Sequence, residues 1–132
     1  MANEAVCIET PTRFARYTVA DGTGIAIGTI LKLTDPNTAI ASSADNDPFA
    51  GIAWEEKTAS DGITEIVAAL DGVWDIKDGG AGVTVGGIVN INGANVVAQS
   101  AAADLLTGSV VGKALETAAA SEVIRVRVGY SA

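Results

Sequence analysis

Apolar residues along this chain occur in short, β-branched runs separated by glycine, aspartate and asparagine. Runs of this kind are typical of β-strands, and the residues between them are typical of turns. Asp71-Gly72 and Asn92-Gly93 each predict a tight hairpin. The pattern therefore predicts an antiparallel all-β barrel or sandwich. The predicted strands are residues 13–19, 25–27, 29–33, 49–54, 64–70, 73–76, 83–85, 88–91, 96–98, 110–115 and 123–128.

One segment predicts a short helix instead of a strand. Residues 100–107 are rich in alanine and leucine, with Ser100 placed as an N-cap and Gly108 following the last turn. The corresponding place in the first half of the chain, residues 36–48, is rich in proline, serine, asparagine and aspartate and predicts a loop. The two halves are therefore expected to diverge in the same connection.

The chain also repeats itself. Glycines and alternating apolar residues of segment 22–34 return in segment 80–92, and further matches extend the repeat on both sides. The offset drifts from 57 residues (Val19 to Ile76) to 61 (Gly51 to Gly112). A repeat of this period predicts a duplicated structural unit. The matched residues are Gly22, Gly24, Ile25, Ile27, Gly28, Ile30, Leu31 and Leu33 with Gly80, Gly82, Val83, Val85, Gly86, Ile88, Val89 and Ile91.

The predicted organisation is an extended N-terminal arm, residues 1–13, followed by a single β domain, residues 14–132, with internal repeats at about 14–72 and 73–129. A glycine after two alternating apolar residues lets a strand bend, and repeated bending closes a sheet and removes its edges. We expect the fold class to be all-β, a pseudo-twofold duplicated antiparallel β-barrel or sandwich. The repeats could close as one barrel, which we expect, or stack as two small sheets.

Composition limits the classes of function. The 132 residues are 48% hydrophobic but only 5% aromatic, so the core is expected to be aliphatic. The net charge of −8 argues against nucleic acid and anionic membranes as partners. The sequence contains no long apolar run, and its first residues do not resemble a signal peptide. We expect a soluble protein that is made in the cytoplasm.

Residues that carry catalytic or metal chemistry are scarce. The chain has no histidine and only one cysteine, Cys7, which excludes Ser-His-Asp and Cys-His nucleophiles and a zinc site within this chain. Asp45 and Asp47 match a calcium loop only in part and predict a solvated acidic loop. Glu55 and Glu116 occupy matching places in the repeat and are interpreted as structural or interface residues. We expect no catalytic residue, no cofactor, no metal and no enzymatic activity.

Three blocks of sequence carry a resemblance to a known family. They are Ala-Asp-Gly-Thr-Gly-Ile at residues 20–25, Phe-Ala-Gly-Ile-Ala at Phe49–Ala53 and Gly-Lys-Ala-Leu-Glu at residues 112–116. With these blocks the chain resembles, over about residues 2–129, the small capsid decoration or cement proteins of tailed bacteriophages. The resemblance implies a β-rich virion protein, often trimeric, that binds the major capsid protein on the outer surface of an assembled capsid and stabilises the shell.

The resemblance transfers no catalytic residues, so the candidate sites are contact residues. We expect the arm to reach across a capsomer boundary and the β domain to pack against sister copies as a homotrimer. Deleting residues 2–13 is expected to abolish capsid binding and leave the barrel folded. The alternative is a carbohydrate- or surface-binding β module on a virion, which needs an exposed aromatic platform. The candidate contacts are Val6, Ile8, Arg13 and Phe14 for the coat protein, and Trp54 and Trp74 for core or subunit packing.

Overall fold

The computed structural model describes residues 3–129, which form thirteen short strands and one 3₁₀ turn, Ala102–Leu106. The all-β prediction is therefore confirmed. The strands are β1 (Val6–Glu9), β2 (Phe14–Thr18), β3 (Ile30–Thr34), β4 (Thr38–Ala41), β5 (Phe49–Ala53), β6 (Glu65–Ala69), β7 (Gly72–Asp78), β8 (Gly82–Val83), β9 (Ile88–Gly93), β10 (Val96–Gln99), β11 (Val110–Ala114), β12 (Ala118–Ala119) and β13 (Val123–Val128).

Each repeat closes a barrel of its own. Barrel 1 has the strand order β2-β4-β3-β5-β6 and closes through the pairing of β6 with β2. Barrel 2 has the order β7-β10-β9-β11-β13 and closes through the pairing of β13 with β7. β2 runs parallel to β4 in barrel 1, and β7 runs parallel to β10 in barrel 2. The other neighbouring strands of each barrel are antiparallel. The duplication is confirmed, but the repeats do not combine into the one barrel that we expected.

The duplication extends to individual hydrogen bonds at the bends. The Gly28 amide donates to Ala53 O at 2.9 Å, and Gly86 donates to Ala114 O at 2.8 Å. Likewise the Ser42 amide donates to Ile30 O and the Ser100 amide to Ile88 O, each at 2.8 Å. Gly28 and Gly86 have φ angles of 89° and 85°, a conformation that favours glycine. The repeated glycines therefore set the bend that closes each barrel.

The N-terminal segment is docked on barrel 2. β1 pairs antiparallel with β7, with Val6 opposite Asp75 and Cys7 opposite Trp74. Ala5 is buried, and its amide donates to Gly28 O at 2.8 Å. The segment that was predicted to be an arm contains β1, which joins the sheet of barrel 2. Removing residues 2–13 would uncover Trp74, so that deletion is not a neutral test of binding. The division at residue 13 stays a prediction.

The barrels share a buried interface. A large apolar cluster of barrel 2 includes Ile30, Ile52 and Ala69 of barrel 1, and a smaller cluster lies within barrel 1. Buried polar contacts also cross between the barrels: Asn95 Oδ1 accepts the Ile30 amide at 2.8 Å, and Ser42 Oγ donates to Gly93 O at 2.9 Å. These hydrogen bonds fix the register between two barrels whose apolar contacts alone are not directional.

Four local predictions need correction. Residues 25–27 do not form the predicted strand, because Ile25 makes only an isolated bridge to Lys57. Residues 36–48 are not a continuous loop, because they contain β4, which corresponds to β10. Asp71-Gly72 does not form a hairpin: it carries the chain from β6 in barrel 1 to β7 in barrel 2. The short helix is the single 3₁₀ turn, and its N-cap is Ala101, whose amide donates to Asp104 Oδ2 at 2.9 Å. A hairpin is present between β9 and β10, as predicted, but Asn92 and Gly93 belong to β9, and the turn consists of Ala94 and Asn95, with Asn95 at a φ of 58°.

The two connections that differ between the repeats, residues 36–48 and 100–107, contact each other. Asn46, in the connection between β4 and β5, donates from Nδ2 to Asp104 Oδ1 in the 3₁₀ turn at 3.1 Å. Asn46 Oδ1 accepts Asn90 Nδ2 at 2.7 Å. The Asp45–Asp47 region, weighed above as a weak calcium loop, therefore links the two barrels.

Candidate functional site

Many of the described carboxylates serve local structure, as Asp71 does. Within residues 3–129, no group of three or more acidic, cysteine or histidine residues is placed to hold a metal ion. Asp71 accepts the amides of Thr12 and Arg13 at 2.7 and 3.1 Å. Partial burial opposes ionisation of Asp71, but these hydrogen bonds, the Thr12 hydroxyl and the Arg13 charge outweigh it and lower the pKa of Asp71. Asp71 thereby fixes the chain between β1 and β2.

The two glutamates that match in the repeat have the same role. Glu55 Oε1 accepts the Val67 amide at 3.0 Å, and Glu116 Oε1 accepts the Arg125 amide at 3.1 Å. Each therefore completes the hydrogen bonding of the last strand of its barrel. The structural part of the prediction for Glu55 and Glu116 agrees with this geometry, and a part in an interface stays a prediction.

An apolar groove lies where the N-terminal strand crosses the junction of the barrels. The groove has a volume of about 490 Å³. Its lining consists of Glu4 and of apolar and small residues. Val6 and Ile27 are more than half exposed, at 59% and 53%. Isolated exposed apolar residues are common, but a groove lined by several of them indicates a contact surface. The apolar groove is lined by Ala5, Val6, Cys7, Ile27, Gly28, Trp54 and Trp74.

Three aromatic rings connect this groove to the first strand of barrel 1. Phe14 and Trp54 have ring centroids 5.5 Å apart, and Trp54 meets Trp74 edge-on at 6.0 Å. Trp74 is buried and donates from Nε1 to Asp71 O at 3.0 Å, whereas Phe14 is 44% exposed. The row therefore runs from the core to the surface, with Trp74 as its anchor and Phe14 as its exposed end.

The structure brings together four of the six predicted contact residues. Val6, Phe14, Trp54 and Trp74 lie in or next to the apolar groove. Ile8 is exposed at 40% two residues along β1 from Val6, and Arg13 is exposed directly before Phe14. The contact roles of all six residues stay predictions.

Sequence reasoning did not single out five residues of the groove as contacts: Glu4, Ala5, Cys7, Ile27 and Gly28. Ile27 is an exposed residue at the bend before Gly28, and the repeat placed it among the alternating apolar positions. Cys7 lines the groove as a small, partly buried residue. Burial raises the pKa of the Cys7 thiol, which keeps it protonated and a poor nucleophile at neutral pH.

The aromatic residues do not form the platform that carbohydrate binding needs. Trp74 is buried, and Trp54 and Tyr17 are partly buried. The Tyr17 hydroxyl is engaged by donating to Ala50 O at 2.8 Å. Tyr130, another aromatic residue of the sequence, lies outside the described residues. The geometry of residues 3–129 thus gives the carbohydrate alternative no specific support.

No helix within residues 3–129 combines the length and the apolar character needed to cross a membrane.

Comparison with known proteins identifies the fold. No protein-family model matches the chain, and no curated protein matches it. Among solved structures, the chain is similar to the head fiber gp8.5 N base of bacteriophage phi29, with a TM-score of 0.55 at 14% sequence identity. The likeness covers 88% of this chain and 94% of the phage chain. At this identity the likeness is one of fold, and it includes both barrels.

Proposed function

We propose that this protein is a structural component of a tailed-bacteriophage virion that binds the outer surface of the assembled capsid and stabilises it. The observation that carries the proposal is the fold shared over nearly the whole chain with a protein that belongs to a phage head fiber. The sequence blocks that resemble decoration proteins support the same class independently. Fold alone does not determine function, so the proposal depends on the surface as well.

The apolar groove is the proposed contact with the major capsid protein. It combines exposed Val6 and Ile27 with rings that are held in place by the core, which is the arrangement of an interface anchor. A capsid presents the same site many times, and copies that also contact one another, as a homotrimer, bind with avidity. A modest contact at each site is then sufficient.

The charge of the chain fits an external position. A net charge of −8 disfavours contact with packaged DNA inside the capsid. Many of the described carboxylates, among them Asp71, Glu55 and Glu116, accept local hydrogen bonds, and no group of acidic, cysteine or histidine residues within residues 3–129 is placed to hold a metal ion. The proposed role is therefore mechanical: added contacts across the shell raise the free energy needed to separate capsomers.

The test is co-sedimentation of the purified chain with expanded, undecorated capsids of the source phage and, in parallel, with unexpanded procapsids. Saturable binding to expanded capsids in a fixed ratio to coat protein is the expected result. Decorated capsids should also withstand heating or osmotic shock better than bare ones. Absence of binding to both shells would overturn the proposal.

A matched pair of variants locates the contact. Ile27→Glu places a charge at the apolar groove, whereas Val85→Glu places the same charge at the equivalent bend of barrel 2, where Val85 is 58% exposed. We expect Ile27→Glu to weaken capsid binding at least tenfold and Val85→Glu to leave it nearly unchanged. Equal binding by wild type and Ile27→Glu would exclude the groove as the contact surface.

A further inference from the structure

The first strands of the two barrels differ in what lies beside them. β7 pairs with β13 along one edge, while β1 and β10 share its other edge. β2 pairs with β6 along its whole length, but β4 lies beside it only at Thr18. Within residues 3–129, no strand therefore lies beside the outer edge of β2 at residues 14–16.

The open part of β2 corresponds to the part of β7 that β1 covers. The Val19 amide donates to Thr64 O at 2.9 Å, and the Asp78 amide makes the equivalent bond to Glu122 O at 2.8 Å. These bonds align Val19 with Asp78, two residues beyond Ile76, its match in the sequence repeat. Counting back five residues from each aligns Phe14 with Val73, and the covered residues 73–75 align with residues 14–16. Barrel 2 thus shows the occupied form of the edge that barrel 1 leaves open.

The unpaired backbone groups of this edge point outward. Amides two residues apart in a strand point to the same side. The Thr18 amide reaches away from β6 to Asn37 O at 3.1 Å, so the amides of Phe14 and Arg16 point the same way. An edge of this kind is a template for another strand.

We propose that the open edge of β2 accepts an extended, acidic and apolar segment of a partner protein as an added antiparallel strand. β1, which fills the equivalent place on β7, has the sequence Val-Cys-Ile-Glu and runs antiparallel. The charge of the edge favours an acidic segment, because Arg13 and Arg16 stand there in a chain with only eight basic residues. Such strand addition takes affinity from backbone hydrogen bonds and specificity from side chains.

Side chains at the edge are available for contact. Phe14 is 44% exposed, and Trp54 supports its ring. Arg16 meets Glu65 at 3.8 Å, but both side chains are more than half exposed, at 65% and 59%, so this ion pair competes only weakly with a ligand. An apolar residue of the incoming strand can pack on Phe14, and a carboxylate can pair with Arg16. The inference does not depend on capsid binding, and either can fail alone.

The experiment uses the full chain, labelled with ¹⁵N, and a peptide of residues 3–10 with Cys7→Ser as the probe. This peptide contains the β1 sequence that covers the equivalent edge. We expect saturable shifts of the Phe14 and Arg16 amides and at least tenfold slower hydrogen exchange at both. The same peptide with proline at the Val6 and Ile8 positions cannot complete the ladder and should not bind.

A matched pair of charge variants tests the acidic preference. Arg16→Glu should weaken peptide binding at least fivefold, and Lys77→Glu, the same charge change on β7, should alter it less than twofold. Arg16 is exposed, so its variant should give the amide spectrum of a folded chain.

Three results would overturn the inference. One is the absence of saturable shifts at millimolar peptide. A second is a response at residues 73–75 instead of 14–16, which would show displacement of β1. The third is protection of Phe14 and Arg16 in the chain alone that rises with its concentration, which would show that a second copy covers the edge.

Discussion

The two barrels share one strand order but are filled and anchored differently. Barrel 1 has many small buried residues, including Ala39, Ala50, Ala53 and Ala68, whereas barrel 2 buries Trp74 and a set of isoleucines and valines. Two repeats of such different side-chain volume still close with equivalent hydrogen bonds. The comparison teaches that the bends and the hydrogen bonds between strands determine whether a barrel closes. The side chains then fill the space inside the closed barrel.

The polar anchors of the barrels are of opposite charge. In barrel 1 the Lys57 ammonium is buried and donates to Asp21 O at 2.8 Å and to Asp61 Oδ1 at 3.1 Å. In barrel 2 Asp78 is fully buried, and its carboxylate accepts the amides of Gly80 and Gly82 at 3.2 and 2.9 Å. Lys57 provides a positive charge where backbone carbonyl oxygens converge. Asp78 provides a negative charge where backbone amides converge.

The largest expected effect comes from emptying the core of barrel 2. Trp74→Ala removes a side chain that is 2% exposed and that supports both β1 and the ring of Trp54. Loss of a buried aromatic side chain costs about 4 kcal/mol of unfolding free energy. Chemical denaturation followed by circular dichroism measures this cost. A loss below about 1 kcal/mol would contradict the assignment of Trp74 as the anchor of the junction.

Alanine variants of Gly28 and Gly86 test whether contact with the N-terminal segment makes the two equivalent bends differ in their contribution to stability. A Cβ at Gly28 would collide with the carbonyl oxygen of Ala5, whereas a Cβ at Gly86 meets nothing within 4 Å. Both positions have positive φ, so both alanine variants carry a backbone cost of about 1 kcal/mol. Gly28→Ala must also displace the N-terminal segment, and we expect a total cost of about 3 kcal/mol.

The readout for the pair is denaturation together with hydrogen exchange of the Ala5 amide. Gly28→Ala should speed this exchange strongly, and Gly86→Ala should leave it unchanged. Equal costs for both variants would mean that β1 contributes little to stability and that the barrels are equivalent in this respect.

Sequence patterns predicted the repeated part of the fold better than the parts that differ. The glycine spacing predicted the duplication because glycine is needed at the bends, as at Gly28 and Gly86. β4 was missed because its residues lie among turn formers, although Ala39 is fully buried. Asp71-Gly72 looked like a hairpin because a turn signal does not say whether the flanking strands pair with each other.

The candidate surface was predictable only in part. Trp54 and Trp74 stood out as rare large residues, but no local pattern places β1 beside β7 or the exposed Ile27 beside Val6. Those contacts depend on how the two barrels meet. That arrangement rests on single polar residues such as Asn95, which no periodicity marks.

The buried lysine sharpens the comparison of anchors. Lys57→Met keeps the aliphatic stem but leaves the carbonyls of Asp21 and Thr58 without their donor. We expect a loss of about 2 kcal/mol, because two acceptors and one carboxylate lose a buried partner. Lys77→Met, at a partly exposed lysine on β7, should change the stability by less than about 0.5 kcal/mol. If both variants lose the same amount, Lys57 is not an anchor.

Acid provides the smallest and most local test. The pKa of Asp61 is lowered first by the hydrogen bond from the Ile63 amide and then by Lys57, which outweigh a small desolvation. For Asp47, desolvation is the largest influence, but hydrogen bonds from Ser43 and Ala44 and the charge of Lys32 together lower its pKa. A carboxyl whose folded pKa is depressed contributes stability above its unfolded value of about 3.9 and loses it as the pH falls through the folded value.

Asp47 and Asp61 belong to barrel 1, and Asp71, the third carboxyl with a lowered pKa, holds the segment that leads into β2 of the same barrel. Barrel 1 should therefore loosen first below about pH 4. At pH 3, protection of the backbone amides against hydrogen exchange should therefore fall in β3 and β5 before it falls in β9 and β11. Asp61→Asn should reduce the loss of melting temperature between pH 5 and pH 3 without changing the order of exchange. Simultaneous loosening of the barrels would instead show that their shared core, with Ile30 and Ile52 packed against barrel 2, couples them into one cooperative unit.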